Sequence, residues 1–178
     1  MSNLQTAYFA GGCFWCTEAV FKQLKGIEQV NSGYAGGTQD KPSYEEVSAG
    51  KTGHTETIEV KFDPTIILYE DLLNVFFTSH DPTTLNRQGN DVGDQYRSAI
   101  FYTDEDQKKQ AEQYIAKLTK DKVFENPIVT ELKPLEQFFP AEDYHHDYYN
   151  QNKNKPYCLL VINPKLDKIK KKFVNLIK

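Results

Sequence analysis

The sequence predicts an α+β fold in a single domain, residues 1–178, and three observations carry that expectation. From Glu56 to Phe62, Ile58, Val60 and Phe62 alternate with Thr57, Glu59 and Lys61, the period of a half-buried strand. Leu72, Leu73, Phe76 and Phe77 recur instead at the spacing of one helical face. Such strand and helix signals follow one another in mixed order along the chain, which points to α+β. At 178 residues the chain can bury about 70% of its unfolded surface, so its core needs no disulfide or metal staple.

Taken in order, Tyr8-Phe9-Ala10 reads as a strand that meets Gly11-Gly12 and passes into a helix through Ala19, Val20 and Leu24. Gly26 stops that helix, Ile27–Tyr34 is extended, and Gly36-Gly37 turns the chain. The strand Glu56–Phe62 ends at Asp63-Pro64, ahead of the helix marked by Leu72 to Phe77. His80–Tyr96 reads as a long polar loop, a length that is usually functional or disordered, before a strand over Ser98–Tyr102. Thr103 and Asp106 resemble a capping pair for a charged helix running to about Lys120. A strand at Ile128–Leu132 and a Tyr/His-rich helix over Glu142–Gln151 follow. The apolar run Leu159–Ile162 reads as a buried strand. Leu166, Ile169, Phe173, Leu176 and Ile177 then share one face of a last helix, with Lys170, Lys171 and Lys172 as its solvated face.

Composition excludes several partners. The net charge is −4, from 21 Lys and Arg against 25 Asp and Glu, with none of the basic patterning a nucleic-acid protein needs. Met1 to Thr6 carries neither the charged nor the apolar region of a secretory leader, and no run approaches the ~18 apolar residues of a membrane span. A cytoplasmic monomer is the expectation. Three cysteines, an odd number, fit reduced thiols with chemistry to do better than a disulfide framework. Met1 is the only methionine, which leaves almost no internal target for sulfur oxidants.

The chemistry concentrates in Gly11-Gly12-Cys13-Phe14-Trp15-Cys16. Strand, glycine pair and helix place Cys13 at a helix N-terminus, where free backbone N–H groups lower a thiol's pKa. Cys16 follows one turn later and completes a C-x-x-C. Other readings compete: a zinc site completed by Cys158 and a histidine, a pair of inert buried thiols, or a thioredoxin-like dithiol. Phe14-Trp15 is bulky and apolar for a thioredoxin-like motif and reads as the floor of a pocket for a small group such as a methyl. An acid must then assist an oxygen. Candidates lie in Pro42–Glu56 and in Gly89–Ser98.

Beyond those blocks the chain resembles the peptide methionine sulfoxide reductase A family. The likeness covers Gly11-Cys13-Phe14-Trp15, Ser32–Gly37, Pro42-Ser43-Tyr44, Thr52–Glu56 and Asp81-Pro82-Thr83. It continues through Gln88–Asp91, Gln95–Ser98 and Tyr144-His145 to Pro156-Tyr157-Cys158. The chain departs at Cys16, where many members have Gly, and at Thr55, where many have Ala.

The resemblance implies a two-layer sandwich, a mixed and mainly antiparallel sheet with a ferredoxin-like core and helices packed on it. It implies reduction of the S-epimer of methionine sulfoxide, free or in oxidised proteins, as a repair reaction. Cys13 would attack the sulfoxide sulfur and become a sulfenic acid. Phe14 and Trp15 would cradle the methyl group, Glu56, Tyr44 and Tyr96 would hydrogen-bond the sulfoxide oxygen, and Asp91 would lie near the substrate's polar end. A carboxylic acid among aromatic rings keeps its proton toward neutrality, and phenols donate at any physiological pH. His54 and His145 are expected to make structural hydrogen bonds. Cys158 matches the usual resolving position and is favoured, while Cys16 is nearer in sequence; both stay open. Thioredoxin is the implied reductant, with no metal or bound organic cofactor. A general thiol–disulfide oxidoreductase and a non-catalytic zinc or redox-sensing module are the rivals.

Overall fold

A computed structural model describes residues 3–178. In chain order the elements are β1 (Gln5–Ala10), α1 (Phe14–Lys22), β2 (Ile27–Ala35), α2 (Tyr44–Ser48), β3 (Thr55–Phe62) and α3 (Tyr69–Ser79). Then come β4 (Arg87–Gln88), β5 (Asp91–Val92), β6 (Ala99–Tyr102), α4 (Glu105–Lys120), β7 (Glu131–Pro134) and β8 (Phe138–Pro140). α5 (Tyr148–Gln151) and α6 (Asn163–Lys172) complete the chain. Six strands form one sheet in the order β7-β6-β1-β3-β2-β8, antiparallel except between β6 and β7. Within it, β1-α1-β2-β3-α3-β6 with spatial order β6-β1-β3-β2 is the split βαβ pattern of ferredoxin-like folds. The α+β expectation holds.

The alternation in β3 does what the pattern predicts. Ile58, Val60 and Phe62 are fully buried on the face that α1, α3 and α6 cover. Phe9 of β1 joins the two layers, its ring 5.1 Å from Phe76 and 5.4 Å from Phe21. Leu166, Ile169 and Phe173 bury the stripe of the last helix, which ends at Lys172 and gives way to a short 3-10 turn. No helix among the described residues is long and apolar enough to cross a membrane.

Five local expectations are corrected. Asp104, not Thr103, caps α4, its carboxylate accepting the Gln107 N–H at 2.8 Å. Replacing Asp104 by Ala should lower stability by about 1 kcal/mol, read as a shifted urea midpoint at constant slope. The strand set at Ile128–Leu132 lies instead at Glu131–Pro134, in parallel register with β6. The loop His80–Tyr96 contains the small β4–β5 hairpin. The helix expected over Glu142–Gln151 is split, because His146 is extended (φ −72°, ψ 133°) and Asp147 left-handed (φ 55°) between a 3-10 turn at Asp143–His145 and α5. Finally, Leu159–Ile162 is no strand: Cys158–Ile162 is one π-helical stretch running into α6, with Leu159 and Leu160 exposed. An apolar run of that length does not separate strand from helix.

One strand escaped the sequence altogether. β8 pairs with β2 opposite Gly33, where an added Cβ would lie 2.5 Å from the Phe139 carbonyl oxygen. Only glycine lets the two backbones approach there.

Candidate active site

The site grows from the turn between β1 and α1. Gly12 adopts φ +96°, and a Cβ there would fall 2.7 Å from Gln88 Cγ, so the turn closes against the β4–β5 hairpin only with glycine. Cys13 then stands at the N-cap of α1 and Cys16 one turn in, with the Cys16 N–H donating to the Cys13 carbonyl at 3.1 Å. Both thiols are buried.

Glu56 enters from β3, almost wholly buried, and accepts the Phe14 N–H at 3.0 Å. Burial pushes its carboxyl up to about 8; Asp91 and Cys16 add repulsion, and the Phe14 N–H partly offsets them. At neutral pH it carries its proton. That hydrogen bond also explains a correction at Cys13. The helix N–H expected to lower its thiol pKa is committed to Glu56, and burial instead raises the Cys13 thiol well above normal. Cys16 takes the opposite course, lowered to about 7 chiefly by a hydrogen bond from Cys13, with Lys165 and Tyr157 assisting against burial.

Two phenols feel the charge of this carboxyl. Tyr44 opens α2, whose start is fixed by a capping box: Ser43 Oγ accepts the Glu46 N–H at 3.2 Å while Glu46 accepts the Ser43 N–H at 2.8 Å. Tyr96 closes the 3-10 turn Asp94–Tyr96, which Thr55 ties to β3 by donating to the Gln95 carbonyl at 2.8 Å. Both phenols are raised, first by burial and then by Glu56 and Cys13, Tyr44 to about 12, so both keep their protons throughout the physiological range.

The aromatic pair divides its work. Phe14 is fully buried, tilted against Tyr34 at 5.7 Å and His145 at 5.1 Å. Trp15 is half-buried, stacked on Tyr148 at 3.7 Å, and its Nε1–H donates to His145 Nδ1 at 3.0 Å. Asp91, on β5, accepts the Tyr157 phenol hydrogen at 2.8 Å, and the same phenol oxygen lies 3.5 Å from Cys16 Sγ. Cys158 is buried at the start of the π-helical stretch, its thiol raised by burial and by Cys16.

A family model for peptide methionine sulfoxide reductase matches residues 5–176. The chain belongs to the peptide methionine sulfoxide reductase family. Relatives include the MsrA proteins of Chromobacterium violaceum, 54% identical over 98% of this chain and 99% of that protein, and Sulfolobus acidocaldarius, 56% identical over 96% of each. Among solved structures, reduced Mxr1 from Saccharomyces cerevisiae superposes with a TM-score of 0.81 at 32% identity, covering 87% of this chain and 89% of that one. Methionine sulfoxide reductase A of Corynebacterium diphtheriae gives 0.77 at 35% identity over 87% and 78%.

In this reductase-family chain the two histidines set aside on sequence serve in hydrogen bonds. His54 accepts from the Gly37 N–H at 3.0 Å and reaches the Gln39 carbonyl at 2.7 Å, bridging the loop before β3. His145 receives the Trp15 indole. Three residues at the site were not anticipated. Tyr157 links Cys16 to Asp91, and its only sequence signal was its place beside Cys158. Glu142 accepts from the Tyr34 hydroxyl at 3.0 Å and the Tyr44 N–H at 3.1 Å, with no local pattern to mark it. Glu18, buried in α1, contacts the segment that carries His145 and Tyr148. Among the described residues no three His, Cys, Asp or Glu side chains converge as a metal-ligand set.

Proposed function

We propose that this chain reduces the S-epimer of methionine sulfoxide, in oxidised proteins or free, to methionine. The observation that carries the reading is Glu56: a buried carboxyl, raised by burial to about 8, held by the N–H next to Cys13 and acting on two phenols that keep their protons. A sulfoxide oxygen is a poor leaving group until it gains a proton. A carboxylic acid poised near neutrality supplies one, and Tyr44 and Tyr96 hold the oxygen as its charge grows.

In this scheme the Cys16 thiolate draws the proton from Cys13 as the Cys13 sulfur attacks. The sulfoxide S–O bond breaks, methionine leaves, and the oxygen ends on Cys13 as a sulfenic acid. Trp15 takes the methyl contact with Phe14 supporting it from beneath, and Asp91 borders the substrate's polar end. A second thiol then condenses with the sulfenic acid and releases water. The sum is one sulfoxide, one thiol, one thiolate and the Glu56 proton in, and one methionine, one disulfide and one water out, with Glu56 left as a carboxylate that takes a proton from solvent before the next cycle.

Cys16 is the thiol we propose for that condensation, ahead of Cys158. It is one helical turn from Cys13 and its thiol is lowered, whereas Cys158 is buried with a raised thiol pKa. Thioredoxin is the reductant that returns the disulfide to thiols, with Cys158 available to relay it. The whole chain acts as a single domain that needs no bound cofactor.

The test is turnover of the separated S- and R-epimers of N-acetyl-methionine sulfoxide with excess dithiothreitol, for the native protein and Cys13→Ser. Turnover of the S-epimer alone, abolished in the variant, is the expected result. A well-folded protein that reduces neither epimer would sink the reading.

A further inference from the structure

We propose that Glu18 is a positioning residue for Trp15, a buried carboxylate that clamps the segment carrying His145 and Tyr148 against the indole. The role rests on the reductase reading above and names the device that shapes its methyl contact.

Glu18 sits one turn beyond Trp15 on α1 and is only 2% exposed. A carboxylate so placed is tolerated only when its oxygens are fully engaged. Oε2 accepts the Ser32 hydroxyl of β2 at 2.8 Å. Oε1 accepts the Asp147 backbone N–H at 2.6 Å and pairs with Lys22 Nζ at 2.9 Å. The same ammonium reaches Asp147 Oδ1 at 2.9 Å, so Glu18 and Lys22 together grip one residue by backbone and by side chain.

That residue takes a left-handed conformation, at φ 55° and ψ 32°. An aspartate there is less disfavoured than most side chains, but the conformation still needs outside support. Its effect is to turn the chain between His145 and Tyr148 so that both reach the same indole. His145 Nδ1 accepts the Nε1–H at the ring edge, and Tyr148 covers a face at 3.7 Å with the planes 6° apart. None of Glu18's partners touches the reacting atoms. Its influence passes only through Asp147 to the two groups that fix Trp15.

Trp15 is the sole tryptophan, so its emission reports the clamp directly. Glu18→Ala should red-shift that emission and raise KM for methionine sulfoxide by roughly tenfold, with kcat changed less than about threefold. Glu18→Gln keeps an acceptor for the Asp147 N–H and should restore most of both. Native emission with a native KM in Glu18→Ala overturns the proposal. So does a fall in kcat with KM unmoved, or a KM rise without any change in emission, since neither runs through the indole. Should Glu18→Ala not fold, Lys22→Ala on the half-exposed partner reads the same two quantities, and no movement in either is equally fatal. Absence of turnover in the wild type would count against the reductase reading alone, because the emission shift tests the clamp independently.

Discussion

Glu56→Gln should lose activity and gain stability at the same time. The loss follows from removing the proposed proton donor to the sulfoxide oxygen, which for general-acid catalysis amounts to about 10²–10⁴-fold in kcat/KM. The gain follows from linkage. In the unfolded chain this carboxyl ionises near 4.5, whereas in the fold it keeps its proton up to about 8. Between those values the native state binds more protons than the unfolded one, so stability falls as pH rises through the window and levels off above it. Holding the group protonated at pH 7 costs on the order of 3 kcal/mol, and glutamine, isosteric and neutral, carries no such charge to suppress. The variant should therefore match the wild type near pH 4, exceed it at pH 7, and show a flatter stability profile by urea unfolding between the two. Wild-type activity should decline above about pH 8 as the acid is lost. Identical stability profiles for the two proteins would mean that the carboxyl is ionised in the native state, and the acid role would fall with it.

What the sequence made legible was whatever depends on neighbours in the chain. The turn at Gly11-Gly12, the helix start at Cys13 and the alternation through Phe62 are local patterns, and each is found where expected. Six named site residues gather around the β1–α1 turn: Cys13, Cys16, Phe14 and Trp15 on it, Glu56 against the Phe14 N–H, and Asp91 through Tyr157 to Cys16. Tyr44 and Tyr96 both respond to the charges of Glu56 and Cys13. What failed depends on distant partners. β8 exists because Gly33, over a hundred residues earlier, leaves room for it. Leu159 and Leu160 look like core and face solvent, because the helical continuation into α6 turns them outward. The reduced pKa expected for Cys13 assumed free helix N–H groups, and the one beside it is taken by a carboxyl 42 residues away in sequence. Propensity and periodicity carry no information about such pairings.

Cys16→Ser and Cys158→Ser should separate sharply when one equivalent of sulfoxide is added without reductant. Condensation with a sulfenic acid requires a nearby thiolate, and rates follow thiolate fraction and reach. Cys16 meets both conditions: it is in the same helical turn as Cys13, and with its thiol lowered to about 7 it ionises again after taking the Cys13 proton. Cys158 is fully buried at the start of the π-helical stretch, and its thiol is raised by burial and by Cys16, so its thiolate fraction is the smaller. Cys158→Ser should form a Cys13–Cys16 disulfide as fast as the wild type, detected by peptide mapping. Cys16→Ser should accumulate the Cys13 sulfenic acid, trapped by dimedone, and close a disulfide at least about tenfold more slowly. Cys16→Ser also removes the thiolate that draws the Cys13 proton, so its first methionine should appear more slowly too, a defect Cys158→Ser lacks. Under thioredoxin recycling the Cys158 variant alone should show a defect confined to the later, reductant-dependent step. If the disulfide instead joins Cys13 to Cys158 in the wild type, with Cys16→Ser resolving normally, the π-helical stretch opens during each turnover and the resting geometry around Cys16 serves the attack alone.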